Sequence, residues 1–142
     1  MESNEKTIKV SFDFDSTLDR ESVQKYAKEL IDQGIEVYIT TSRHSDKEYD
    51  YAQDWNDDLY EVADKLGIPR KRIRFTDMVD KYKFFEGGNF LWHLDDDWVE
   101  NRLINKNTKT KAISHIGSGN WIGKCNRIIK KLGGNPARVG NA

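Results

Sequence analysis

Five short runs rich in β-branched and aromatic residues alternate along the chain with segments whose apolar residues recur at helical spacing. That alternation narrows the fold more than any other feature. The strand-like runs fall at residues 8–14, 35–40, 72–75, 90–94 and 111–116. Between and after them lie helical patterns: 21–32 (Val23, Tyr26, Ala27, Leu30, Ile31), 47–66 (Tyr51, Trp55, Leu59, Val62, Leu66), 79–86, 98–104 and 121–132 (Trp121, Ile122, Cys125, Ile128, Ile129, Leu132). Gly34 and Gly67 stand where the first two helices should stop. Strands that alternate with helices predict an α/β domain: a mainly parallel five-stranded sheet with helices on both sides, in three α/β/α layers.

A chain of 142 residues has room for one such domain, with a core at about 7–132 and a loose tail over 133–142. No run approaches the roughly 18 apolar residues of a membrane span. The polar start, Met1-Glu2-Ser3-Asn4-Glu5-Lys6, does not read as a signal peptide. One cysteine, Cys125, allows neither an internal disulfide nor a cysteine-based zinc cluster. These features predict a cytoplasmic protein. The net charge of −1 hides an asymmetry: residues 1–100 hold 14 basic against 24 acidic side chains, whereas 101–142 hold 9 basic and none acidic. The basic third is either a surface for polyanions or a solvated face that complements an acidic body.

In a parallel sheet, the loops at the carboxyl ends of the strands gather the active site. The polar clusters of this chain fall there. Asp13, Asp15, Ser16 and Thr17 follow the first strand; Thr40, Thr41, Ser42 and Arg43 follow the second; Asp95, Asp96 and Asp97 follow the fourth. Carboxylates at the ends of apolar strands need a cation or donors to offset desolvation, and carboxylates brought together repel. A divalent metal resolves both problems, and all-oxygen ligation suits magnesium. A carboxylate can also serve as a nucleophile toward phosphorus, given a metal and a lysine to neutralise charge and a general acid/base.

Ser11-Phe12-Asp13-Phe14-Asp15-Ser16-Thr17-Leu18 resembles the first motif of the haloacid-dehalogenase superfamily, Asp-x-Asp-x-Thr after a hydrophobic strand. Val37-Tyr38-Ile39-Thr40-Thr41-Ser42-Arg43 resembles its second motif, and Leu94-Asp95-Asp96 the Asp-Asp form of its fourth. The resemblance spans about residues 7–120 and implies a Rossmann-like magnesium-dependent phosphatase. It implies Asp13 as nucleophile and metal ligand, and Asp15 as general acid/base with its carbonyl on the metal. Asp95 and Asp96 become metal ligands, and Thr41, in the Thr-x-Arg form, a phosphoryl contact. The third-motif lysine is Lys81 or Lys83; Lys81 is preferred because Phe84 and Phe85 follow it at inner-face spacing. Ser16, Thr17, Ser42 and Arg43 are the expected substrate contacts. For Arg43 the alternatives are a bidentate hold on phosphate and a plain surface arginine.

Only a few residues separate Thr17 from the first helix, and residues 45–69 hold just one helix with its lead-in, so no cap domain is expected. An open site suits a large substrate. Within the superfamily the chain most resembles the phosphatase domain of phage polynucleotide kinase. Thr41-Ser42-Arg43-His44-Ser45 is similar to its Ser-Gly-Arg-Glu-Ser turn, and Ile116-Gly117-Ser118-Gly119-Asn120-Trp121 to its Ala-Ser-Gly-Asp-Phe segment. No Walker loop for a kinase half is present. The resemblance implies a nucleotide or nucleic-acid 3'-phosphate as substrate, with Lys124, Arg127, Lys130 and Lys131 available to a phosphate backbone. Other expectations are structural: Asp97 as a helix N-cap, His93 as a packing histidine, Cys125 on a buried helix face, and the four tryptophans mainly in packing.

Overall fold

The computed structural model of the chain describes residues 7–45, 54–117 and 119–132. Five strands, β1 (Lys9–Phe12), β2 (Glu36–Thr41), β3 (Ile73–Phe75), β4 (Phe90–Leu94) and β5 (Lys111–Ile113), pair in the order β3-β2-β1-β4-β5. Every pairing is parallel. Four helices accompany them: α1 (Glu21–Asp32), α2 (Asp57–Leu66), α3 (Trp98–Asn107) and α4 (Trp121–Leu132). The α/β architecture with a parallel five-stranded sheet flanked by helices is Rossmann-like. Strand order reverses between β1 and β4, and in open parallel sheets ligands bind beyond the carboxyl ends of the strands at such a point.

Alternation along the strands separates two buried layers. Val10 and Phe12 of β1, Val37 and Ile39 of β2, and Trp92 and Leu94 of β4 face a large cluster. It takes Tyr26, Ala27 and Leu30 from α1, Leu59 and Ala63 from α2, and Cys125 and Ile129 from α4. The opposite face carries a smaller cluster of Phe85, Phe90 and Ile104, with Tyr38 packed against it. A register shift between Lys9 and Val10 leaves Leu91 extra in β4, so Leu91 and Trp92 both pack on the larger cluster while Phe90 faces the smaller one. The smaller face is also polar: Ser11, Thr40 and His93 lie on it with no solvent exposure.

Element boundaries differ from the sequence pattern in places. β5 ends at Ile113 rather than 116, because residues 114–117 turn into a bend. The apolar spacing over 79–86 yields only one 3₁₀ turn, Lys81–Phe84, since Asp80 before it is non-helical at ψ 129° and Gly87 after it adopts positive φ. The second helix starts at Asp57 within the described residues; the first part of the expected 47–66 segment, residues 47–53, lies outside them. Gly67 ends α2 in the left-handed region at φ 86°, as its position in the pattern predicts. The tail over 133–142 also lies outside the described residues.

Candidate functional site

Two backbone hydrogen bonds set the site beyond the last ladder residues. The Asp13 amide donates to the Leu94 carbonyl at 2.8 Å, and the Asp95 amide to the Ile113 carbonyl at 3.0 Å. They carry Asp13 and Asp95 past the ends of β1 and β4, side by side and buried. One carboxylate oxygen from each of Asp13, Asp95 and Asp96 lies within 4.8 Å of the others. That is an all-oxygen, net-acidic donor set fit for a hard divalent cation such as magnesium.

Lys81 enters this cluster from the 3₁₀ turn. Its Nζ donates to Asp13 Oδ1 at 2.7 Å and to Asp95 Oδ2 at 2.6 Å. Its side chain is only 3% exposed. Lys83, the other candidate in the sequence, is exposed. The backbone amide of Lys81 reaches Glu100 Oε1 at 3.4 Å, which ties the turn to the first turn of α3.

Burial pushes the Asp13 carboxyl up to about 8, against the pull of the Lys81 ammonium. Burial would raise Asp95 as well. Its donors outweigh that, through the hydrogen bond from His93 and the Lys81 charge, and hold the carboxyl well below the usual range. Asp95 Oδ1 also accepts the Asp97 amide at 3.0 Å. Two carboxylates share one ammonium, and the better-donated Asp95 is the ionised partner. Lys81 loses stability of charge to burial but is raised on balance by the two carboxylates, and it stays an ammonium.

The other site residues of the sequence fall into three groups. Thr17 is buried and donates its hydroxyl to Asp13 Oδ2 at 3.2 Å, which aims the carboxylate. Thr41 is buried at the end of β2, and its Oγ1 accepts the Arg43 amide at 3.3 Å. Asp15, Ser16, Ser42 and Arg43 form the rim. Ser16 is exposed in the left-handed region at φ 62°, its amide given to Asp19 Oδ2 at 3.1 Å. That strained residue keeps the turn after Asp13 tight. The Ser42 carbonyl accepts the Met78 amide at 2.9 Å, joining the loops after β2 and β3.

Arg43 departs from its expected place on a phosphate. Its guanidinium forks onto Asp15, with Nε to Oδ2 at 3.0 Å and Nη2 to Oδ1 at 2.7 Å. The same group bridges to Asp58 on α2 at 2.8 and 3.0 Å, and Nη1 also reaches the Trp55 carbonyl at 3.2 Å. All three nitrogens are engaged by the protein, and Asp15 faces Arg43 rather than the Asp13–Asp95 cluster.

Several residues near the site are not singled out by the motifs. His93, expected only to pack, donates Nε2–H to Asp95 Oδ2 at 2.8 Å. Burial lowers its pKa, so it is neutral at pH 7. His115 Nε2 lies 3.1 Å from Thr17 Oγ1, behind the Asp13 carboxylate. Asn101 donates to the Asp95 carbonyl at 3.1 Å. His93 was findable: it stands two residues before Asp95 on a strand, hence on the same face. His115 and Asn101 leave no comparable sequence signal. Asp97 caps α3 as expected, accepting from Val99 and Glu100 at 2.9 and 3.2 Å. Cys125 is buried, and burial pushes its thiol up, which suits packing and not nucleophilic chemistry.

The tryptophans divide. Trp92 is in the core, but Trp98 is 69% and Trp55 54% exposed. Met78, Val79, Val99 and Ile116 are exposed too, and all six lie on segments that follow strand carboxyl ends. On another side of the molecule, Lys111, Lys124, Arg127 and Lys131 rim a groove of about 550 Å³ floored by Ile113, Ile128 and Leu132. No helix among the described residues is long and apolar enough to cross a membrane. No family model, curated protein or solved structure matches the chain.

Proposed function

We propose that the chain is a magnesium-dependent phosphomonoester hydrolase of the haloacid-dehalogenase type, acting on a nucleotide or nucleic-acid end. The observation that carries this reading is the convergence of Asp13, Asp95 and Asp96 with Lys81 bridging the first two. Asp13, Asp95 and Asp96 would hold the ion, and the Asp15 carbonyl would be a further ligand. A bound magnesium ion would offset the negative charge of the phosphoryl oxygens.

An Asp13 carboxylate oxygen attacks phosphorus; the bond to the leaving oxygen breaks, and Asp15 gives that oxygen a proton. Water then attacks the aspartyl-phosphate, passes a proton to Asp15 and frees phosphate and the Asp13 carboxylate. Thr17 holds Asp13 in line, Lys81 offsets charge on Asp13 and the phosphoryl group, and Thr41 donates to a phosphoryl oxygen.

The short link from β1 to α1, residues 13–20, leaves no inserted domain there, in keeping with a capless, open face. The leaving group then rests on a rim with Trp98 and Trp55. Aromatic rims suit nucleobases, which stack with about 1–3 kcal/mol each, and the basic groove along α4 suits a phosphate backbone. The free thiol Cys125 fits the cytoplasm.

A second reading is a binding or regulatory protein of the same fold with little turnover. The fork of Arg43 onto Asp15, braced by Asp58 on the other side of the guanidinium, favours it, since the acid/base must leave Arg43 to reach a leaving group. A phosphate-release screen with magnesium separates the two, across nucleotides, 3'- and 5'-phosphorylated oligonucleotides and sugar phosphates. Release from 3'-phosphorylated ends is expected. Activity confined to sugar phosphates sinks the nucleic-acid substrate, and no turnover with any ester sinks the enzyme.

A further inference from the structure

The smaller face of the sheet holds a row of polar side chains that the phosphatase chemistry does not call on. It starts at Arg74 in β3, crosses β2 at Thr40 and β1 at Ser11, reaches β4 at His93 and ends on Asp95. Each link is a hydrogen bond. Arg74 Nε and Nη2 donate to Thr40 Oγ1 at 3.1 and 2.8 Å. Thr40 Oγ1 and Ser11 Oγ lie 2.9 Å apart, Ser11 Oγ and His93 Nδ1 2.9 Å, and His93 Nε2 and Asp95 Oδ2 2.8 Å. Thr40, Ser11, His93 and Asp95 have no solvent exposure.

Donor counting fixes the direction of every proton. A guanidinium only donates. Its two N–H groups fill both lone pairs of Thr40 Oγ1, so the Thr40 proton goes to Ser11. Ser11 accepts there and must give its own proton to His93 Nδ1. That nitrogen is therefore bare, and the ring carries its proton on Nε2, where it meets Asp95. The chain runs one way, from a cation on the far flank of the sheet to a carboxylate of the candidate metal site. Aligned hydrogen bonds of this kind polarise one another in a low-dielectric interior.

Arg74 is itself anchored. Its Nη1 donates to the Phe84 carbonyl at 2.7 Å, and its guanidinium lies 4.4 Å from the Phe90 ring centroid and 4.8 Å from that of Phe85. Phe84 closes the same 3₁₀ turn that presents Lys81. We propose that Arg74 is a positioning residue, which through Thr40 and Ser11 locks His93 in the Nε2–H tautomer and so holds the Asp95 carboxylate in its orientation for the metal. Outer partners of metal ligands typically govern affinity by 10–100-fold.

The test has two readouts. Two-bond ¹H–¹⁵N correlation spectra of the metal-free protein report the His93 tautomer. Titration calorimetry reports magnesium affinity. In the native chain the expected result is a pyridine-like Nδ1 and a pyrrole-like Nε2. In Arg74→Met, Thr40 can accept from Ser11 and Ser11 from the ring, so nothing on that side keeps Nδ1 bare; its pyridine-like signal is expected to weaken and magnesium affinity to fall about tenfold or more. Arg74→Lys should recover part of both. Should Arg74→Met fail to fold, Thr40→Val cuts the same chain and is expected to move both readouts in the same direction.

A native His93 protonated at Nδ1 overturns the proposal, and so does a folded variant in which either readout stays unchanged. The affinity readout rests on the proposed metal site, but the tautomer does not. A chain with no phosphatase turnover and an Nε2–H His93 defeats the phosphatase and leaves the relay standing.

Discussion

Lys81 places its ammonium 2.7 Å from the carboxylate of Asp13, a residue 68 positions away in the chain. With Asp95 at 2.6 Å on its other side, it is the one cation among three buried ionisable groups at the heart of the site. Replacing it by methionine keeps much of the volume and removes the charge. Two carboxylates then face each other in the interior. The expected loss is about 3 kcal/mol, at the low end for a broken buried pair because Asp13 can take up a proton. Thermal melts of Lys81→Met with and without magnesium check this. The ion should recover more stability in the variant than in the native protein, and phosphate release should be abolished in both buffers. A variant as stable as the native chain without metal contradicts the pairing.

Asp13→Asn separates chemistry from fold. The amide cannot attack phosphorus, so turnover is expected to fall to background. The substitution also removes the member of the pair that burial disfavours as an anion, while Lys81 keeps Asp95. Metal-free Asp13→Asn should therefore melt at or above the native temperature. A phosphate-release assay beside a thermal melt reads both. Turnover at the native rate rules out Asp13 as the nucleophile.

The raised pKa of Asp13 makes the metal-free protein pH-dependent in a definite direction. The carboxyl titrates near 3.8 when unperturbed and is pushed up to about 8 by burial. The folded state thus binds this proton more tightly than the unfolded one. The stabilisation is present in full below the unfolded value and is lost as pH rises toward the folded one. Metal binding needs the carboxylate, so magnesium affinity should strengthen over the same window, with release of a proton. Melts without metal from about pH 5 to 9 and calorimetry in buffers of different ionisation enthalpy test the two halves. A proton count of zero on binding at neutral pH contradicts the assignment.

How much of this could be read in the sequence depends on the range of the interaction. Asp13 and Asp95 end apolar strands, and a parallel sheet brings such ends to one edge, so period and order suffice to bring them together. Ser11 and His93 sit two residues before them, on the same face by strand alternation, but the pattern alone reads His93 as a packing histidine and does not mark Ser11. Lys81 was narrowed to a pair only, because the helical spacing that favours it over Lys83 belongs to a segment that closes as a single 3₁₀ turn. The motif points Arg43 at phosphate, but its carboxylate partners are Asp15 and Asp58, the latter one of two acids in the first turn of α2. Nothing in the spacing of an acidic helix start says which acid meets which arginine; tertiary placement of α2 decides it.

Trp98 offers the clearest handle on the substrate. It stands two residues after Asp96, opens α3, and is 69% exposed, where a packing role predicts burial. On the proposed reading, a phosphate ester held at Asp13 would lay its leaving group on this rim. If that group carries a nucleobase, an indole face gains about 1–3 kcal/mol from stacking. Trp98→Ala should then raise KM for a 3'-phosphorylated oligonucleotide by about tenfold, the factor that 1.4 kcal/mol sets, and leave kcat nearly unchanged. Glycerol phosphate, which has no ring to stack, should show the same KM with either protein. Because the side chain is exposed, the melting temperature should move little, so a KM change cannot be assigned to unfolding. Equal loss on both substrates would instead point to a disturbed Asp95–Asp96 cluster, through the neighbouring Asp97 cap.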